Sequence, residues 1–295
     1  VAGPPALRVE LLGDFRVLAG GRALARIPSP RQQQLITFLI LHARGAPVQR
    51  QRIAAAFWPE STDSQALTNL RRELHHLRES FPELDALVDA GTRTLTWRDA
   101  PGNSIDVIDF EAAADRGRAG DREALKQAAR LYGGDLLIEC GDEWIAADRE
   151  RLAARARQVL AQLADVLERE GAFGEAIEYA QQLRRLDPLD EAVWCVLMRC
   201  HARRGERAAA LHLYQQCAAV LHKELGVQPG APLRLLYREI LELDATAPAA
   251  VPERASVYPL VGRTSEWRSV LDAWQRADGG RACLLVLRGE AGIGK

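Results

Sequence analysis

Residues 64–81, SQALTNLRRELHHLRESF, combine an apolar stripe with side chains that can read nucleic acid. Leu67, Leu70, Leu74, Leu77 and Phe81 recur at alternating intervals of three and four, the spacing of one buried face on a 3.6-residue helix. Opposite that stripe fall Thr68, Arg72, His75, His76 and Glu79, with Gln65 and Asn69 beside them and Arg71 and Arg78 flanking the seam. Guanidinium, amide, hydroxyl and imidazole groups on one wet helix face suit a major groove, where they reach base edges and phosphates. In isolation such a face is an ordinary solvated surface. What surrounds it favours the groove.

A second chemical signal lies at 289–295, GEAGIGK. It matches the phosphate loop G-x-x-x-x-G-K, in which backbone N–H groups cradle phosphates and the lysine reaches the β and γ oxygens. Gly289, Gly292, Gly294 and Lys295 are therefore nucleotide-binding candidates, directly after LLVL, an apolar run suited to a buried parallel strand. The Ser or Thr that would hold Mg²⁺ and the following helix are not in the sequence, so the loop is incomplete. ATP and Mg²⁺ are expected only in a longer form. The chain as it stands reads as the front of a longer protein, with no cofactor and no enzymatic activity of its own. G-x-S-x-G and H-E-x-x-H are both missing, as is any Ser/His/Asp set that spacing singles out. The five cysteines form no C-x-x-C pair and read as reduced, mostly buried side chains, so no metal is expected.

Charge is unevenly placed. Residues 1–98 hold 13 Arg and no Lys against 9 acids, a net +4, whereas residues 99–245 hold 19 basic against 26 acidic residues, a net −7. A polyanion suits the first block and protein the second. No apolar run approaches the ~20 residues of a membrane span, so a cytoplasmic protein without a membrane partner is expected.

The elements that must position the helix face can be read around it. LRVELL, FRVL and RALAR, broken at Gly13-Asp14 and Gly20-Gly21, read as short strands. Ser29-Pro30-Arg31-Gln32 is a capping box with proline at the first helical position; the helix behind it buries Leu35, Ile36, Leu39 and Ile40. A shorter helix near 49–58 stops at Pro59, and Asp63 or Ser64 can cap the helix of 64–81. ALVDAGTRTLTWR then reads as two strands about Gly91, with Arg93 at the tip. A small sheet, three helices and a terminal hairpin are the layout of a winged helix-turn-helix. From about 106 to 243 the pattern is helical. Gly171 and Gly205, Ala176 and Ala210, Ile177 and Leu211, and Leu183 and Cys217 recur at 34 residues, as in tetratricopeptide units. Trp144 and Trp194 read as core anchors, and Asp142-Glu143 and Asp190-Glu191 as first-turn acids.

The expected fold is mainly α with a small β component. A winged-helix DNA-binding domain spans 1–100, an all-α tetratricopeptide-like domain 101–245, a linker 246–258, and the truncated start of a P-loop α/β domain 259–295. In this order the parts resemble the SARP-type transcriptional activators of bacteria, in their large multidomain form. FWPE (57–60), ALTNLRRELHHLR (66–78) and GTRTLTW (91–97) resemble that family's OmpR-like winged helix. IDVIDFEAA (105–113), YGGDLL (132–137), EWIAADRERL (143–152) and LGVQPGAPLRLLYREIL (225–241) resemble its bacterial transcriptional activator domain. LVGRTSEWRSVL with GEAGIGK looks like the entry to a STAND-class NTPase. The resemblance implies a double-stranded DNA partner read at promoter direct repeats, often by protomers side by side as a homodimer. It also implies recruitment of RNA polymerase, location on the bacterial nucleoid, and nucleotide gating of the full-length protein. DNA-contact roles carry over to Thr68, Asn69, Arg71, Arg72, His75, His76 and Arg93; the His75-His76 pair departs from the more polar or basic residues usual there. Two other readings stand beside this one: a regulatory segment of an ATPase, and a repeat scaffold that no longer binds DNA.

Overall fold

The computed structural model describes residues 7–23 and 29–242, with Arg268, Ser269 and Trp274. The phosphate-loop candidates, the expected linker and Cys283 lie outside the described residues. Strands β1 (Leu7–Glu10), β2 (Arg16–Ala19) and β3 (Arg22–Ala23) form an antiparallel meander in which Leu7 and Val9 point into the core. Helix α1 (Pro30–His42) starts at the expected capping box: Ser29 Oγ accepts from the Gln32 N–H, and Gln32 Oε1 from the Ser29 N–H. Leu35, Ile36, Leu39 and Ile40 are buried, as their spacing requires.

Strand β4 (Val48–Gln49) leads into α2 (Arg50–Phe57), followed by α3 (Asp63–Ser80) and the single turn α4 (Leu84–Leu87). The hairpin is β5 (Val88–Ala90) and β6 (Thr94–Trp97), and β4 joins it in a three-stranded sheet of order β4-β6-β5. Two residues are too few to show alternation, so β4 is not visible in the sequence. The N-cap position of α3 falls on Thr62, whose side chain makes no capping bond, and not on Asp63 or Ser64; Asp63 sits in the first turn, where its charge suits the helix dipole. Its stripe seals through Ala66, Leu70, Leu74 and Leu77, with Phe81 just beyond, whereas Leu67 is only half-buried.

Strand β7 (Ser104–Ile105) returns to the first sheet and pairs parallel to β1, giving the order β3-β2-β1-β7. Helix α5 (Asp106–Arg118) follows at once. Asp106 is 5% exposed, and its carboxylate accepts the N–H groups of Leu11 and Leu12 at 2.8 Å each and that of Val107 at 2.7 Å. Burial pushes this carboxyl up to about 6, against the pull of those three donors. Because the folded value lies above the unfolded one, the contribution to stability is fully present below about pH 4 and is lost as pH rises through 6. Urea unfolding of wild type and Asp106→Asn across that range should therefore show a difference that shrinks with rising pH, by about 1–3 kcal/mol in all. Parallel profiles would contradict the assignment.

Helix α6 (Arg122–Leu131), a 3₁₀ turn at Glu143–Ile145 and α7 (Ala146–Arg169) lead to α8 (Phe173–Leu186), α9 (Glu191–Arg203), α10 (Arg207–Leu225) and α11 (Ala231–Glu242). The 34-residue repeat is visible: Gly171 and Gly205 end helices at φ 78° and 79°, and Ala176 and Ala210 are both fully buried. The second unit departs from the first. Pro188 follows the end of α8 in the first unit, but the position 34 residues on is His222, so α10 runs on to Leu225 and ends where Gly226 adopts φ 69°.

The segment YGGDLL is a strap between the helices and the first sheet. Leu136 bridges to Leu12, the Gly13 N–H donates to the Asp135 carbonyl at 3.1 Å, and the Leu137 N–H to the Leu11 carbonyl at 3.3 Å. Arg149 holds the strap from behind, donating to the carbonyls of Leu136, Leu137 and Cys140. A single hydrophobic cluster accordingly runs from Leu7 to Cys200 through sheet, winged helix and helices. Cys140, Cys195, Cys200 and Cys217 are buried free thiols, and burial pushes Cys200 up to about 11 and Cys217 up to about 12, which leaves little thiolate at neutral pH. No helix among the described residues is long and apolar enough to cross a membrane.

Candidate nucleic-acid interface

Helix α3 packs through its leucines and leaves Thr68, Arg71, Arg72, His75 and His76 exposed on the other side, with Asn69 half-buried at the margin. Arg71, Arg72 and Arg93 make no side-chain hydrogen bond or ion pair with another described residue. Arg78, by contrast, is held by Asp85 at 2.9 Å. The Thr68 hydroxyl donates to the Ser64 carbonyl at 2.8 Å, which leaves its methyl and its acceptor lone pairs for an incoming ligand. His75 and His76 both turn toward Glu79, at 3.4 and 3.5 Å, with ring centroids 5.9 Å apart. The two imidazoles thus form a shared polar patch late in the helix.

The wing is fixed to the helices by a residue that the pattern of the sequence does not single out. Arg50, the first residue of α2, donates its backbone N–H to the Arg93 carbonyl at 2.9 Å and its Nε–H to the Gly91 carbonyl at 3.1 Å. Burial and the neighbouring guanidinium groups of Arg78 and Arg71 lower its pKa. Like charges crowded in this way raise the local positive potential, and of the three only Arg78 has an acidic partner among the described residues, Asp85. A cleft of about 650 Å³ opens between α3 and the wing, with Arg50, Arg71 and Arg93 on its walls and Leu67 in its lining. Leu67 is half-buried because it faces this cleft. The signal for Arg50 was long-range: only the folded hairpin brings Gly91 to it.

The remaining sequence-derived candidates, Gly289, Gly292, Gly294 and Lys295, lie outside the described residues. Among the described residues no group of three or more His, Cys, Asp and Glu side chains is placed to hold a metal ion.

Residues 105–241 match the family model of the bacterial transcriptional activator domain. The chain is 30% identical to the regulatory protein AfsR of Streptomyces coelicolor over 98% of its own length, and 26% identical to the regulatory protein DnrI of Streptomyces peucetius over 85%. Residues 105–241 thus carry the bacterial transcriptional activator domain, and over most of its length the chain is similar to the SARP-type bacterial transcriptional regulators. Its alignment covers 99% of DnrI but only 32% of AfsR, so the chain spans about a third of the length of that larger SARP relative. The SARP fold is also seen in a structural neighbour, Mycobacterium tuberculosis EmbR solved with a low-affinity phosphopeptide. That structure has a TM-score of 0.63 and 20% identity, covering 93% of this chain and 71% of that one. The mainly helical architecture with small sheets is shared with it.

Proposed function

We propose that this SARP-type chain is a sequence-specific DNA-binding transcriptional activator that reads promoter direct repeats through α3 and the wing. One observation carries the reading. Arg71 and Arg93 line a cleft into which Arg50 adds a third guanidinium, and Arg72 is exposed beside Arg71 on α3; Arg71, Arg72 and Arg93 have no internal partner among the described residues. Cations left without counterions around a groove are suited to a phosphate backbone. Arg71 and Arg72 contact phosphate or guanine, Thr68 and Asn69 set register, His75 and His76 hydrogen-bond at the far end of the site, and Arg93 anchors the wing. Two protomers occupy adjacent repeats, and the helical domain helps to recruit RNA polymerase in the cytoplasm. In a longer form, nucleotide bound at a completed phosphate loop gates these activities.

The test is selection of the full chain on a random duplex pool, followed by anisotropy titration over salt. Enrichment of a repeated motif, with affinity falling steeply as salt rises, supports the reading. Weak, salt-sensitive binding with no enriched motif would overturn it.

A further inference from the structure

Helix α1, the C-terminal end of α2 and the 3₁₀ turn of the helical domain meet at one point. Trp144 stacks on Phe57, the last residue of α2, with ring centroids 5.4 Å apart and 19° between planes, and meets Phe38 of α1 edge-on at 5.2 Å. Its buried Nε1–H has no hydrogen-bond partner in the structure, so packing places this ring. Arg31 supplies the directional bonds. Its guanidinium lies 4.8 Å from the Phe57 ring centroid and 5.2 Å from that of Trp58. One arm donates to the Phe57 carbonyl, among the last four of α2, which have no partner within their helix. The other donates to the Asp142 carboxylate, just before the 3₁₀ turn, and to Gln34. Only residues 58–62 separate Phe57 from the start of α3, so the end of α2 fixes the entry to the reading helix.

We propose that Arg31 is a positioning residue for DNA reading, fastening the entry of α3 to the helical domain so that the state of that domain sets the pitch of the reader. The inference rests on α3 as the DNA-reading helix and adds its regulation. A planar fork can bond a main-chain carbonyl and a carboxylate in fixed directions at once; an ammonium of the same charge cannot hold that geometry.

The experiment compares Arg31→Lys and Asp142→Asn in the full chain with Arg44→Lys, which touches only the surface pair with Asp99. Hydrogen exchange is followed at the amides of 58–66 without DNA, and binding is measured to a selected and to a random duplex. For both test variants, exchange at 58–66 is expected to quicken about tenfold while the core amides hold. Affinity for the selected duplex should fall about 3- to 10-fold with random-duplex affinity unchanged, because no charge on α3 or the wing is altered. Arg44→Lys should change neither. Unchanged exchange at 58–66, or quickening spread evenly over the whole domain, would overturn the proposal. A wild-type chain that selects no sequence would remove the DNA reading itself, and the exchange data would still decide the coupling.

Discussion

Replacing Arg71 and Arg72 together by alanine is expected to lower affinity for the selected duplex about 100-fold or more at fixed salt. Each guanidinium that reaches a guanine edge or phosphate contributes about 1–3 kcal/mol, and the two act on adjacent positions of one helix. The fold should be untouched. Both side chains are exposed and bond to no described residue, so thermal unfolding should shift by no more than about 0.5 kcal/mol in stability. To the extent that both contact phosphate, the slope of log affinity against log salt should also flatten by about two. Fluorescence anisotropy at three or more salt concentrations reads both quantities from one titration. A double variant that binds selected and random duplexes like the wild type would exclude α3 from recognition.

Gly133→Val should be the most damaging single change in the strap. A Cβ at Gly133 would fall 2.8 Å from the Leu12 carbonyl oxygen, and that neighbour is backbone, which cannot swing aside. Valine adds two methyl groups to the clash, so the strap must lift from the sheet and loosen the bonds at Leu11 and Gly13. The expected loss is about 3 kcal/mol, the upper range for overpacking a well-filled site. In a thermal melt that corresponds to a fall of roughly 6–12 °C for a body of this size. Gly141→Ala is the matched control, since nothing lies within 4 Å of a Cβ there. Equal melting temperatures for the two variants would mean that the glycine of YGGDLL is not required for close approach.

The parts of the fold legible in the sequence are those whose signal is local. The capping box at Ser29, the leucine stripe of α3 and the 34-residue recurrence each lie within one helix or one helix pair, and periodicity reports such elements directly. Pairings across the chain left no such trace. Strands β4 and β7 have two residues each and exist only because β6 and β1 offer them an edge. Asp106 looks like any first-turn acid until Leu11 and Leu12 turn their N–H groups toward it. Trp144 reads as a core anchor, but the sequence does not show that its half-buried ring packs on Phe38 and Phe57 of the winged helix. The candidate interface divides in the same way. Its helix face follows from 100° geometry, whereas Arg50 enters only through the folded hairpin.

The return of β7 to β1 brings the end of the proposed DNA-reading segment back to the sheet from which the chain set out. Residues 29–97 lie in the chain between β3 and β7, the two edge strands of the four-stranded sheet, so both ends of the segment connect to that sheet. A reader on one flexible tether can follow operators whose repeats are rotated about the duplex axis; a doubly tethered one carries its whole body around with it. Paired protomers would then demand helical phase. Adding half a turn of DNA between repeats, about 5 bp, should abolish cooperative occupancy, and adding a full turn, about 10 bp, should restore the facing of the two bodies.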